Sequence, residues 1–253
     1  MAKFLTSSIG KKFIQGVTGA FLVIFLLLHG TINFFSVIDS LHGSFGKVAA
    51  DAFPFTHGDG WFQLGCDFMS TPVITIMVPI LALGFILHSA YGIWLTVQNY
   101  IRRGGVKRYA VASKAKNDSW SAKNMAILGI LILGILGFHL THFWANMQLQ
   151  EFMGAEAENP YYLLIATFRS PVVVVCYIIW FVVLFLHLEH GFWSMFQTIG
   201  WNNKKWLKRL KVIGIIVAAL IVFLFVATAV NAYIEANYVT ASSQWTEALL
   251  AKF

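Results

Sequence analysis

Charge is scarce in this chain. Asp, Glu, Lys and Arg make up 11% of its 253 residues, whereas soluble domains carry roughly 25%. With 58% hydrophobic residues and a mean hydropathy of +0.71, a water-soluble fold would lack the polar atoms to cover its surface. That excludes ordinary soluble enzymes and disordered tails. Cysteine is equally sparse. Cys66 and Cys176 stand 110 positions apart with no CxxC, which points to neither a zinc site nor a disulfide framework. Alternating segments of ~10 residues, the mark of a transmembrane barrel, are missing. So are inverted repeats and low-complexity tracts.

What remains is a set of five long neutral runs: 13–38, 68–101, 124–150, 170–188 and 212–234. Each reaches the roughly 20 residues that a helix needs to cross ~30 Å of hydrocarbon. The fourth meets Glu189 and then continues apolar to about Trp201. Helices are the expectation because lipid-exposed backbone must satisfy its own hydrogen bonds. The first run is too long for a signal-peptide core and lacks a clean cleavage site, so it reads as a retained helix. The fold class expected is an all-α membrane protein, a five-helix bundle forming one domain over residues 1–253.

The cations give the direction. The N-terminus holds Lys3, Lys11 and Lys12, the second-to-third connection holds seven cations from Arg102 to Lys123, and the fourth-to-fifth holds five from Lys204 to Lys211. Fifteen of the 18 therefore lie on one side. The positive-inside rule puts the N-terminus in the cytoplasm and the C-terminus outside. It also explains the basic pI without nucleic acid as a partner. Trp120, Trp201 and Trp206 mark the inner interface, and Trp61, Trp144 and Trp245 the outer one, as an aromatic belt does. Residues 242–253 carry Trp245, Leu249 and Phe253 at helical spacing and read as a short amphipathic helix on the outer surface. The long outer segment 39–67 is of the kind that folds back on a bundle.

Six of the eight histidines lie inside these runs: His29, His88, His139, His142, His187 and His190. Ionisable groups in a bilayer are expensive and mark function. A single one is as readily explained by an interhelical hydrogen bond, but six over four helices are not. Depth sorts them. His29 lies 10 residues before Asp39 and His139 lies 12 before Glu151, while His88 follows Asp67 by 21 and His190 follows Arg169 by 21. At 1.5 Å per residue, His29 and His139 form an outer layer and His88 and His190 an inner one. Counting from the inner charges gives the same pairing with a smaller separation.

Two imidazoles facing each other from different helices are what a six-coordinate b-type haem needs for its axial positions. Two such layers would hold two haems. His142 and His187 each lie three residues from a proposed ligand, hence on nearly the same face. They are alternative ligands, or partners for a haem propionate or a quinone oxygen. Gly16, Gly19, Gly84, Gly92, Gly129, Gly134, Gly137 and Gly191 offer flat surfaces for a haem, or ordinary small-residue packing. Glu189, the one acid within a run, fits a proton relay, a propionate-linked role or a structural acid.

These residues bring a family into view. SSIGKKFIQGVTGAFLVIFLLLHGTINF, GFILHSAYGIWL, GFHLTHFW and LEHGFWSMF resemble the successive helices of the cytochrome b membrane anchor of succinate:quinone oxidoreductases. The closest likeness is to the single-polypeptide, two-haem anchors of succinate dehydrogenase and fumarate reductase. The resemblance runs over nearly the whole chain and rests on the constellation rather than on one motif. It implies His29 and His139 as ligands of the outer haem, and His88 and His190 as ligands of the inner one. It implies an iron–sulfur subunit and a flavoprotein subunit docked on the cytoplasmic face, with the dicarboxylate site in the latter. It further implies membrane quinone, usually menaquinone, as redox partner, and a bacterial inner membrane as location. Two acids of the family are displaced: no Glu precedes His88 in the second run, and Leu188 stands two residues before His190. Asp67 is the nearest acid to the second helix. It is carried with His142 as a quinone-site candidate, because each can exchange protons with water outside.

Three other readings compete. A di-haem subunit of another respiratory complex would draw its ligands from fewer helices. A His-rich proton-coupled transporter would show broken helices or inverted repeats. A haem-free anchor leaves six buried imidazoles without a purpose.

Overall fold

The computed structural model describes residues 7–42, 60–102, 104, 119–201 and 203–239. They are predominantly helical, with no strand among them. In chain order the helices are α1 (Ser8–Leu41), α2 (Trp61–Met69), α3 (Pro72–Arg102), α4 (Trp120–His139), α5 (Gln148–Phe152), α6 (Pro160–Phe168), α7 (Pro171–Thr198) and α8 (Lys204–Ile234). Single π-helical segments extend α4 over Leu140–Trp144 and α8 over Glu235–Val239. Five helices are long and apolar enough to cross a membrane: Ile9–Leu41, Pro72–Arg102, Trp120–Trp144, Pro171–Thr198 and Lys204–Val239. Large apolar side chains such as Ile24, Ile86, Ile130 and Phe223 are more than half exposed. An exposed apolar surface of that extent needs lipid rather than water around it.

Local chemistry sets the ends. The second apolar run divides at Ser70–Thr71–Pro72, where α2 stops and α3 begins. Pro72 has no N–H to lose at a helix start and turns Thr71 away from helical geometry. Asn159 caps α6 by accepting the Tyr161 N–H at 2.9 Å, with Pro160 at the first position. α7 closes on Gly200, whose φ of 96° is open to glycine. There the Trp201 N–H donates to the Phe196 carbonyl at 3.0 Å, the closing bond of a Schellman turn. α8 begins among its lysines, earlier than the apolar run does, because their long stems can lie along the helix with the charge in water.

Residue contacts divide the chain into two compact units. The first comprises Met1–Leu26, Ile76–Ile132 and Val183–Leu220; the second comprises Leu27–Thr75, Leu133–Val182 and Ile221–Phe253. Leu128, Leu188, Trp193 and Leu210 are buried in the first. The second is built on aromatic packing. Tyr177 is 1% exposed, with the rings of Phe168 at 4.9 Å and Trp180 at 5.7 Å, and Phe181 stacks on Phe225 at 5.5 Å.

The start of α2 is tied to the end of α1. Asp39, fully buried, accepts the Trp61 and Phe62 N–H groups at 2.9 Å each. Asp39, the outer depth marker for His29 in the sequence, and Glu235 both have buried carboxylates, and Ser40 donates to Glu235. The tail 242–253, residues 43–59 with His57, and the inner connection 105–118 lie outside the described residues.

Candidate functional site

Four of the six histidines within the candidate spans face each other in two pairs, one in each unit. In the second unit, His29 on α1 and His139 at the end of α4 face each other with ring centres 5.9 Å apart at 84°. In the first, His88 on α3 faces His187 on α7 at 6.3 Å and 69°. The first pair joins the two residues that depth joins. In the second pair, the ring opposite His88 belongs to His187, whereas the depth count ranks His190 first. His190 turns instead to Trp193, at 4.8 Å. Lys211 lies over the same indole at 4.7 Å.

The spacing has a chemical meaning. A metal–imidazole bond of about 2 Å on each side, plus about 1 Å from each nitrogen to its ring centre, puts two axial rings about 6 Å apart. Both pairs meet that separation. Among the described residues no group of three or more His, Cys, Asp or Glu side chains converges. Each pair could supply two nitrogen ligands, the number that a macrocycle with four nitrogens of its own leaves to the protein.

The second ring nitrogens are partly engaged. Thr18 donates its hydroxyl to the Ile14 carbonyl at 2.8 Å, and its oxygen lies 3.4 Å from His88 Nδ1. That oxygen can accept from Nδ1–H and leave the Nε2 lone pair for a ligand bond. Tyr177 places its hydroxyl 3.5 Å from His139 Nδ1, and the Asn33 amide nitrogen lies 3.5 Å from His29 Nδ1. The Gln15 amide nitrogen sits 3.5 Å from His88 Nε2. Gly19 makes room beside the pair: a Cβ there would lie 3.2 Å from His88 Cε1. Gly134 and Gly137 have nothing within 4 Å of that position.

Six buried polar atoms of the described residues lack a hydrogen bond, three in each unit. In the first unit they are Gln15 Oε1, His187 Nδ1 and His190 Nδ1; in the second, His142 Nδ1, Trp180 Nε1 and Asn231 Nδ2. A buried donor left unsatisfied costs about 1–3 kcal/mol. Trp180 Nε1, whose ring lies beside His139, is a donor that an acceptor on a bound group could satisfy, whereas Gln15 Oε1 would need a donor. Trp180 lies 5.7 Å from the His139 ring.

The remaining candidates are placed as follows. His142 lies in the π-helical segment, a feature often found at functional sites, with Phe138 against its ring at 3.9 Å. Asp67, on α2, accepts from the Gln63 amide at 2.8 Å at an exposed position. Glu189 accepts from the Ser121 hydroxyl at 3.0 Å. Outside the spans, burial, then Asp67 and Asp39, push the Cys66 thiol up to about 12. Burial and the Asp39 carboxylate raise the Tyr161 hydroxyl well above its ordinary range. The buried Asp39 has no signature in the sequence beyond its place at the end of the first run.

Comparison with family models, curated proteins and solved structures returns no match.

Proposed function

We propose that the chain is a di-haem cytochrome b anchor. In this reading it passes electrons between a cytoplasmic succinate dehydrogenase or fumarate reductase and membrane quinone. The observation that carries it is the repeated one: in each unit, two imidazoles from different helices stand about one metal-bridged spacing apart, at 5.9 Å and 6.3 Å. His29 and His139 hold one haem; His88 and His187 hold the other. A b-type haem held in this way supplies a one-electron ferric/ferrous couple. The chain's own side chains orient the imidazoles through Thr18 and Tyr177, and the apolar helix faces exclude water.

The proposed orientation puts the N-terminus and most of the lysines and arginines in the bacterial cytoplasm. There they meet the iron–sulfur subunit, which carries the flavoprotein. The dicarboxylate site is proposed to lie in that flavoprotein. The quinone, menaquinone in the family that the sequence resembles, is proposed to react beside the His29–His139 pair, served by Asp67 and His142. The deciding experiment is a pyridine haemochrome assay on the purified complex, with identification of the subunits that co-purify. Two low-spin haems b per chain, together with a flavoprotein and an iron–sulfur protein, is the expected result. A value near one or zero overturns the di-haem reading, and two haems with other partners overturn the assignment to succinate chemistry.

A further inference from the structure

Asp39 is the most completely enclosed acid of the described chain, at 0% exposure. Its Oδ1 accepts the Trp61 N–H at 2.9 Å, and its Oδ2 accepts the Phe62 N–H at 2.9 Å and the Tyr161 hydroxyl at 2.8 Å. The two backbone donors are the first of α2, where orphan N–H groups and the helix dipole favour an anion. Gly60 permits the approach, since a Cβ there would overlap Oδ2 and lie 2.8 Å from Cγ. The carboxylate therefore ties the end of α1 to the starts of both α2 and α6.

The tie does not stop at Tyr161. α6 runs nine residues from Pro160 to Phe168, and its far end packs on the neighbours of an imidazole. Phe168 lies 4.9 Å from Tyr177 and 6.3 Å from Phe143. The Tyr177 hydroxyl is 3.5 Å from His139 Nδ1, and the Phe143 ring is 5.1 Å from that of His139. One short, buried helix thus has a charged lock at one end and the ring contacts of His139 at the other.

We infer that Asp39 is a positioning residue: by pinning α2 and α6 to the end of α1, it fixes the His139 imidazole and with it the His29–His139 pair. A displaced α6 would carry Phe168 away from Tyr177 and release the contact to Nδ1, the atom through which outer partners orient a metal-binding imidazole. The haem readout of this inference rests on the function proposed above; the lock itself does not.

The test uses the full chain in its complex, as Tyr161→Phe and Asp39→Asn. Tyr161→Phe removes one donor and keeps the shape. Asp39→Asn keeps the size but sets an amide against backbone donors. Redox titration reads the midpoint potential of each haem, and mass spectrometry reads N-ethylmaleimide addition at Cys66 and Cys176 separately. Loosening of α2 by one or two kcal/mol corresponds to a rise of roughly fivefold or more in Cys66 labelling, with Cys176 unchanged. The component that depends on His29 and His139 shifts in both variants, and the component that depends on His88 and His187 does not. An unmoved His29–His139 component, or equal movement of both, overturns the inference. If the wild-type chain binds no haem, the functional reading fails by itself. The His139 imidazole resonance of isotope-labelled chain then decides: a change in Tyr161→Phe sustains the inference and no change overturns it.

Discussion

His187 faces His88 with ring centres 6.3 Å apart, while His190, one turn further along the same helix, faces Trp193. Three residues of helix move a side chain ~4.5 Å along the axis and turn it by about 60°. That is enough to take one imidazole out of line with His88 and bring the other in. Depth alone does not separate them, because a bilayer boundary read from charges is uncertain by about a turn.

The sharpest test follows. His187→Ala should remove the haem shared with His88 and leave the other intact, and His88→Ala should do the same. His190→Ala should keep both haems and at most move one potential. Redox-resolved optical spectra of the three variants decide the matter. Loss of a haem in His190→Ala, with both kept in His187→Ala, would reverse the assignment.

Gly19 offers a test that touches no ligand. A Cβ there meets His88 Cε1 at 3.2 Å, while Gly134 has open space. Gly19→Val should push the imidazole aside and weaken haem retention at the His88–His187 pair by roughly 10–100-fold, the range seen when a ligand's orientation is lost. Gly134→Ala should bind as the unaltered chain does. Haem content after extended dialysis against apomyoglobin measures both.

Cys66 reports on its own burial. Only the thiolate reacts with maleimide, and this thiol is raised from 9.0 to about 12, by burial first and then by Asp67 and Asp39. Its ionised form is therefore scarcer at pH 8 by roughly two to three orders of magnitude than that of an ordinary thiol. Labelling of Cys66 should climb with each pH unit well past pH 9, where a free cysteine levels off. A plateau near pH 9 would contradict the burial described.

For quinone, Asp67→Asn and His142→Ala should each lower quinone-linked succinate oxidation by about 10²-fold or more, the ordinary worth of a positioned proton donor. Both haems and dye-linked oxidation should survive. Normal turnover in both variants would move the quinone to another surface.

The broad fold was legible because each span is long, neutral and flanked by charge. The break at Pro72 was less so, since the neutral run begins at Phe68 and takes in the last two residues of α2 with those of α3. Helix existence comes from composition, but helix ends come from single residues. The His29–His139 pairing was readable from depth, since no other intramembrane histidine lies on α1 and the depth of His139 matches better than that of His142. The choice between His187 and His190 depends on helix rotation, which neutral apolar residues all around α7 leave unmarked. The burial of Asp39 and Glu235 has no mark in the sequence, where each is simply an acid at the end of an apolar run. Their burial depends on segments more than a hundred residues away, Tyr161 in one case, and on Ser40 across 195 positions in the other.

α3 contains no buried residue along its 31 positions, yet it supplies His88. Its hold on the protein comes from part-covered side chains, while the bilayer supplies the pressure that keeps it in place. In a detergent micelle that lateral support weakens, and α3 is the span with least of its own surface to keep it attached. Purification in harsh detergent should thus strip the His88–His187 site before the His29–His139 site. With haem held at both pairs as proposed, the order of its loss during extraction would be a property of how thinly one helix is packed, independent of how well its ligands are made.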